Sequence, residues 1–183
     1  WIYLNPDSRT SSLQPRRASS VELRPYQREA RDAIFREWSI GRQRTLMVCP
    51  TGTGKTIIFC AISEEVVRRG GRVLILAHRG ELLDQAADKM RKATGLACAL
   101  EKAESTCLGE WERITVGSVQ TLMRPQRLKK FPTDYYRTVI VDEAHHCLSD
   151  TYQRVLSHFA DADVLGVTAT PDRGDKQNLG QFF

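Results

Sequence analysis

The stretch CPTGTGKT, residues 49–56, holds the residue types that bind phosphate groups. It lies between a short apolar run and a segment with a helical pattern, so backbone N–H groups at the helix start can converge on an anion. Gly52 and Gly54 let the main chain approach a phosphate closely. Lys55 can reach the β- and γ-phosphates of a nucleotide, and Thr56 can place a hydroxyl on Mg²⁺. A solvent-exposed turn rich in glycine and threonine is the alternative.

The general pattern of such a loop, GxxxxGK[ST], has a glycine where this sequence has Cys49. The remaining positions agree with the pattern. The residues predicted to contact the nucleotide in this loop are Thr51, Gly52, Thr53, Gly54, Lys55 and Thr56.

A pair of carboxylates follows a second apolar run, in the stretch TVIVDEAHH. Open α/β sheets bind ligands at the carboxyl ends of their strands, so we expect Asp142 to lie beside the loop and to hold Mg²⁺ together with Thr56. Glu143 can accept a proton from an attacking water. Lys55 and Glu143 are therefore the predicted catalytic residues of a nucleotide hydrolase. The alternative is a pair of residues that caps a following helix.

Helical and extended patterns alternate along the chain around these residues. Apolar residues recur on one face of 24–38, 55–69 and 79–93, which predicts helices. Short runs that are apolar throughout predict buried strands, at 44–48, 72–77, 113–118, 138–143 and 162–170. This alternation predicts an α/β fold, with a mostly parallel β-sheet and helices on both of its faces.

Length and composition set the domain organisation. The chain has 183 residues, 41% of them hydrophobic and 27% charged, which is ordinary for a globular protein. Residues 1–20 are poor in aliphatic side chains and rich in Ser, Arg and Pro, which predicts a flexible N-terminal tail. Residues 21–183 are predicted to form one domain. Within it, residues 94–112 show no clear period.

Charge and cysteine content limit the partners and the compartment. No apolar run approaches the roughly 18 residues of a membrane span, so no membrane partner is expected. Five scattered cysteines without a CxxC pair predict free thiols in a reducing compartment, the cytoplasm or the nucleus or nucleoid. The net charge of +5 is compatible with a polyanionic partner.

Three stretches together carry a family resemblance: CPTGTGKT, VDEAHH and GVTATP. They resemble the first RecA-like motor domain of a superfamily 2 DEAD/DEAH-box helicase, and GVTATPDRGD is similar to the restriction-subunit-like branch. Replacement of the first loop glycine is common in that family. The resemblance implies a RecA-like P-loop NTPase fold with ATP and Mg²⁺ as cofactors.

The resemblance also implies roles for residues outside the loop. LRPYQREA resembles the element in which a glutamine reads adenine, which places Gln27, with Arg24 beside it, on the base. His145 is expected to couple the Asp-Glu pair to the TATP motif. The threonines of that motif that are expected to take part in this coupling are Thr168 and Thr170. Two further motifs border the nucleic-acid path, and the residues that they place there are Arg79, Ser118 and Gln120.

The expected function is that of a motor domain that couples ATP hydrolysis to unwinding or translocation of DNA or RNA. The family uses a second RecA-like domain that supplies arginines to the γ-phosphate, and no such motif occurs in this sequence. We therefore expect a monomeric fragment that lacks its second domain and part of its C-terminal edge, and that is nearly inactive alone. The alternatives are a double-strand translocase without unwinding, a P-loop NTP switch or kinase, and a nucleic-acid-binding module with a vestigial site.

Overall fold

The computed structural model describes residues 2–3, 21–50, 52–78, 80–169, 179 and 181–183. Seven strands in these ranges form one sheet, and every neighbouring pair is parallel. The strands are β1 (Ile2–Tyr3), β2 (Arg44–Val48), β3 (Val73–Ala77), β4 (Cys98–Glu101), β5 (Ile114–Ser118), β6 (Thr138–Asp142) and β7 (Asp163–Thr168). Their order across the sheet is β1-β2-β7-β6-β3-β5-β4.

The helices of the described residues connect these strands. They are α1 (Pro25–Ser39), α2 (Lys55–Arg68), α3 (Gly80–Thr94), the one-turn helices α4 (Val119–Leu122) and α5 (Pro125–Leu128), a 3₁₀ helix (Ala144–Leu148) and α6 (Asp150–His158). None of the described helices combines the length and the apolar composition that a membrane crossing requires.

Two apolar layers bury the faces of the sheet. Successive side chains of a strand point to opposite faces. In β3, Ile75 joins the layer under α1, α2 and α3, whereas Leu74 and Leu76 join the layer under α4, α5 and α6. Both faces are therefore covered by helices, as the uniformly apolar strand sequences predict.

Three strands bring the predicted site to one edge of the sheet. β7 lies between β2 and β6, with Val48 paired to Thr168 and Asp142 paired to Val167. Because all three strands run in the same direction, the loop after β2 and the carboxylates at the end of β6 meet at their carboxyl ends. The α/β prediction is confirmed in this arrangement.

Two features of the sheet differ from the sequence predictions. β4 lies within residues 94–112, where no period was apparent, because one of its two buried residues is the charged Glu101, whereas the apolar Leu100 is only half-buried. Ile2–Tyr3 fall in the predicted flexible tail, yet they pair with Met47 and Val48. The exposed edge of β2 offers backbone hydrogen-bonding groups that a short strand can satisfy. Residues 4–20 lie outside the described residues.

Candidate nucleotide-binding site

The loop of residues 49–54 joins the end of β2 to the start of α2. The backbone N–H of Cys49 donates to the carbonyl oxygen of Thr168 at 2.8 Å, which ties the loop to β7. Gly52 and Gly54 have φ angles of 83° and 84°, the left-handed region that favours glycine. Gly54 is the N-cap of α2, and Lys55 is the first helical residue. The backbone thus has the strand–turn–helix form in which N–H groups at a helix start can face an anion. Thr51 lies outside the described residues.

Two side chains of α1 hold this loop. The hydroxyl of Tyr26 donates to the carbonyl oxygen of Thr53 at 2.9 Å, and Nε2 of Gln27 donates to the same oxygen at 3.0 Å. Oε1 of Gln27 accepts from the backbone N–H of Arg24 at 3.0 Å, which also caps the start of α1. The first turn of α1 is therefore a support for the loop.

The side-chain amide of Gln27 is engaged at both ends by protein groups, and the residue is only 4% exposed. Recognition of adenine by Gln27 and Arg24 stays a prediction. It requires Gln27 to share or exchange these hydrogen bonds. Helical spacing places Tyr26 on the apolar face of the segment 24–38 and does not predict its hydrogen bond to the loop. The sequence signal for a role of Tyr26 at the loop is that it is adjacent to Gln27.

Cys49 takes the place of the first glycine of the general loop pattern. Its side chain is fully buried, and its sulfur contacts the Oγ1 of Thr53. Burial raises the pKa of the Cys49 thiol, so the neutral form is favoured. Thr53 Oγ1 in turn donates to the carbonyl oxygen of Pro50 at 2.7 Å. The Cys49 side chain therefore packs inside the turn, which leaves the backbone N–H groups of the loop as the expected phosphate contacts.

Lys55 lies between the two predicted acidic residues. Its Nζ is 3.4 Å from Oε1 of Glu143 and 3.7 Å from Oδ1 of Asp142. The Lys55 side chain is 19% exposed, whereas the two carboxylates are 46% and 47% exposed. Two carboxylates and one ammonium leave one negative charge in excess at this edge, which favours a divalent cation. The two carboxylates also remain accessible from solvent.

The backbone at Glu143 is in an uncommon conformation. Its φ and ψ are 57° and 62°, and the backbone N–H donates to Oδ1 of Asp142 at 3.0 Å. A non-glycine residue held there costs on the order of 1–3 kcal/mol and persists where the surroundings fix it. The turn directs the Glu143 side chain to Lys55 on one side and to Nδ1 of His145, at 3.6 Å, on the other.

The structure describes only some of the remaining predicted residues. Thr168 ends β7 beside the loop, and the contacts described for His145 are with Glu143 and the ring of His146. Coupling from His145 to Thr168 stays a prediction, and Thr170 lies outside the described residues. Ser118 ends β5 and Gln120 follows it in α4, and their side chains are hydrogen-bonded to each other at 3.0 Å. Arg79 also lies outside the described residues.

The candidate ligands at this edge suit Mg²⁺ better than they suit a metal that is coordinated entirely by protein side chains. In the described ranges, no three His, Cys, Asp or Glu side chains form a metal-binding cluster. Mg²⁺ usually takes one or two carboxylates and completes its shell with water and substrate phosphates. Asp142 and the half-buried Thr56 at the start of α2 provide this kind of partial ligand set.

Gly54 and Gly41 provide a matched pair of substitutions. A Cβ on Gly54 would lie 2.5 Å from Nε2 of Gln27, whereas a Cβ on Gly41, remote from the loop, would meet nothing within 4 Å. Both positions carry the backbone strain of a positive φ, roughly 1–2 kcal/mol. We expect Gly54→Ala to weaken ATP binding several-fold more than Gly41→Ala, because only Gly54→Ala displaces Gln27 from the loop. Calorimetric titration of both variants measures the difference.

Gly41→Ala controls for the backbone strain, because Gly41 has a φ of 86°. It should lower stability and leave ATP affinity unchanged. Equal ATP affinities for Gly41→Ala and Gly54→Ala would show that the contact between Gln27 and the loop has no role in binding.

Comparison of the sequence with known proteins found a family and several relatives. The model of the family described as "Type III restriction enzyme, res subunit" matches residues 20–173. "Putative ATP-dependent helicase IRC3" of Saccharomyces cerevisiae is 35% identical over 179 residues, which cover 90% of this chain and 26% of that protein. "DNA 3'-5' translocase XPB2" of Sulfurisphaera tokodaii is 33% identical over 156 residues, which cover 85% of this chain and 32% of that protein. The chain thus spans about a third or less of these relatives.

A solved structure shows the same fold. The helicase domain of Hef from Pyrococcus furiosus matches with a TM-score of 0.70 and 24% identity, over 86% of this chain and 37% of that chain. At this level of identity the match supports the fold and not the details of the site.

Proposed function

Because the chain belongs to the type III restriction enzyme res subunit family, within the superfamily 2 helicases, we propose that it is the ATP-binding motor domain of a DNA-dependent ATPase. The observation that carries this proposal is the position of Lys55. It begins α2 directly after the glycine loop and lies within 3.7 Å of both acidic residues at the end of β6. The residues proposed to bind the phosphates, to hold the metal and to act as the base therefore lie next to one another.

The proposed roles follow from the chemistry of each group. The N–H groups of the loop and Lys55 would bind the β- and γ-phosphates, and Lys55 would exchange its carboxylate partners for phosphate oxygens. Thr56 and Asp142 would hold Mg²⁺, which when bound neutralises charge on the phosphates. Glu143 would take the proton from the attacking water, oriented by its contact with His145.

DNA is the proposed nucleic acid, because the archaeal relative is named a DNA translocase. The path would follow the residues after β3 and β5, including Ser118, Gln120 and Arg79. A second RecA-like domain in the full-length protein would close on the same strand. Translocation along duplex DNA without unwinding is the second candidate, and the name of that relative favours it. A switch or kinase unrelated to nucleic acid is disfavoured, because both relatives are named as a helicase or a DNA translocase.

The five cysteines are free, and burial raises the pKa of Cys60 and Cys147 to about 12. The free thiols agree with the proposed reducing compartment, whereas the raised pKa values indicate only that Cys60 and Cys147 stay protonated.

The test of the proposed function is Lys55→Ala in the full-length protein. Removal of a charged partner of the phosphates costs about 1.5–3 kcal/mol, so we expect the Kd for ATP to rise by roughly 10- to 100-fold. Lys89→Ala, at an exposed position of α3, is the matched control and should leave the Kd unchanged. If calorimetry gave equal ATP affinities for wild type and Lys55→Ala, the proposal that the nucleotide binds at this loop would be wrong.

A further inference from the structure

Three rings form a column beside the carboxylates, outside the contacts assigned above. The rings of His78 and His146 are stacked, with centroids 4.9 Å apart and planes 13° apart. The ring of Tyr152 lies 6.0 Å from that of His146, also at 13°. Tyr152 is 1% exposed, whereas His78 is exposed. The column is thus anchored in the apolar layer at one end and open to solvent at the other.

Strand order explains why these rings meet. His78 follows the end of β3, and His146 lies in the 3₁₀ helix after β6. β3 and β6 are neighbours in the sheet, so the residues that leave their carboxyl ends are brought together. The pKa of His146 is lowered mainly by burial, and the nearby His145 and His78 lower it further. The neutral form of His146 is therefore favoured, and neutral rings can stack without charge repulsion.

The exposed end of the column contacts the predicted DNA path. Nε2 of Gln120 lies 3.2 Å from Nδ1 of His78. Ser118 Oγ is within 3.0 Å of Oε1 of Gln120, which orients the amide so that its NH₂ group faces His78. In this arrangement the amide donates and Nδ1 of His78 accepts, so the ring carries its proton on Nε2. A ligand that engages Ser118 or Gln120 would therefore compete for the hydrogen bond that holds His78.

The middle ring of the column reaches the candidate base through His145. The rings of His146 and His145 have centroids 4.2 Å apart. Nδ1 of His145 lies 3.6 Å from Oε2 of Glu143. A continuous series of side-chain contacts thus joins Gln120 to Glu143 through three histidines.

We propose that His78 and His146 are a positioning pair that transmits occupancy of the DNA path at Ser118 and Gln120 to Glu143, so that DNA binding orients the base for ATP hydrolysis. This inference rests on the proposed function, because it assumes both a DNA-stimulated ATPase and the role of Glu143. Neither histidine touches the nucleotide in this scheme. Their effect is on the response of kcat to DNA.

The experiment measures ATP hydrolysis by the full-length protein with and without duplex DNA. We define the stimulation factor as kcat at saturating DNA divided by kcat without DNA. His146→Ala is expected to reduce this factor by about tenfold, which corresponds to a coupling energy of about 1.4 kcal/mol, in the usual range for communication between sites. The KM for ATP should stay within twofold. A loss of folding would instead change KM and kcat together.

Two further variants test the pair itself. His146→Phe keeps a planar ring in the stack and should retain most of the stimulation. The double variant His78→Ala/His146→Ala should lose no more than either single variant, because members of one contact chain are not additive. His158→Ala is the matched control. His158 contacts the carbonyl oxygen of Phe131 at 2.9 Å, away from the column, and its loss should leave the stimulation factor unchanged.

The outcomes separate this inference from the proposed function. A wild-type protein whose hydrolysis does not respond to DNA overturns the proposed function and the role of the pair with it. A wild type that is stimulated, together with a His146→Ala variant stimulated equally, overturns the role of the pair alone. Full additivity of the two alanine substitutions would also contradict it.

Discussion

The substitution Glu143→Gln in the full-length protein should lower kcat for ATP hydrolysis by about 10²- to 10⁴-fold, the usual contribution of a general base. Glutamine has nearly the same shape and can keep the contact with Lys55 as an acceptor, but it cannot take a proton from water. The Kd for ATP should stay the same or fall, because a negative charge near the γ-phosphate is removed. Single-turnover kinetics with a parallel binding titration measure both quantities.

Glu110→Gln is the control for this prediction. Glu110 lies at an exposed position in the connection between β4 and β5, and the chemical change is identical. It should leave kcat and Kd unchanged. A Glu143→Gln variant with wild-type kcat would assign proton transfer to another group. A variant with low kcat and weak ATP binding would indicate that the turn at residue 143 has been disturbed instead.

The placement of the acidic pair could be predicted from the sequence because two simple patterns coincide. The run VIV, residues 139–141, is apolar and β-branched, which predicts a buried parallel strand with Asp142 at its carboxyl end. The loop likewise follows an apolar strand and begins a helix. Parallel strands bring their carboxyl ends to one edge, so Lys55 and Asp142 are expected at the same edge of the sheet. Their separation of 3.7 Å also depends on the strand order β2-β7-β6, which the two patterns do not give.

Contacts that depend on strand order could not be predicted in the same way. The stack of His78 on His146 exists because β3 is next to β6, and no local pattern states which strands are neighbours. The conformation of Glu143 is also a tertiary effect, because a glutamate avoids positive φ when the chain is free to choose. Such a residue can be recognised as strained only when its neighbours are known.

The roles of Tyr26 and Gln27 show a different limit. Helical spacing places Tyr26 on the same face as Ala30 and Ile34, and burial confirms that assignment. Spacing gives no information about where the hydroxyl at the end of the ring finds its acceptor. Here the acceptor is a loop carbonyl 27 positions further along the chain. Polar atoms on otherwise apolar side chains are therefore the part of the site that sequence patterns describe least well.

The largest difference in rate is expected between residues 21–183 alone and the full-length protein. The basic side chains described within 4 Å of the Asp142 and Glu143 carboxylates are Lys55 and His145, and neither is an arginine. In phosphoryl transfer, an arginine supplied by a second domain or subunit stabilises charge on the γ-phosphate and contributes 10³- to 10⁵-fold in kcat. We therefore expect the segment to hydrolyse ATP slower by roughly that factor at saturating DNA.

This prediction requires that the segment is folded, which ATP binding can report independently of hydrolysis. The segment should bind ATP, and Lys55→Ala within it should weaken that binding, because the loop and α2 lie inside residues 21–183. Phosphate release is then compared among the segment, its Glu143→Gln variant and the full-length protein. A folded segment whose kcat equals that of the full-length protein, and which loses activity in Glu143→Gln, would place the charge-stabilising group within these residues. A slow segment that regains activity when the remainder of the protein is added in trans would instead place that group in the remainder.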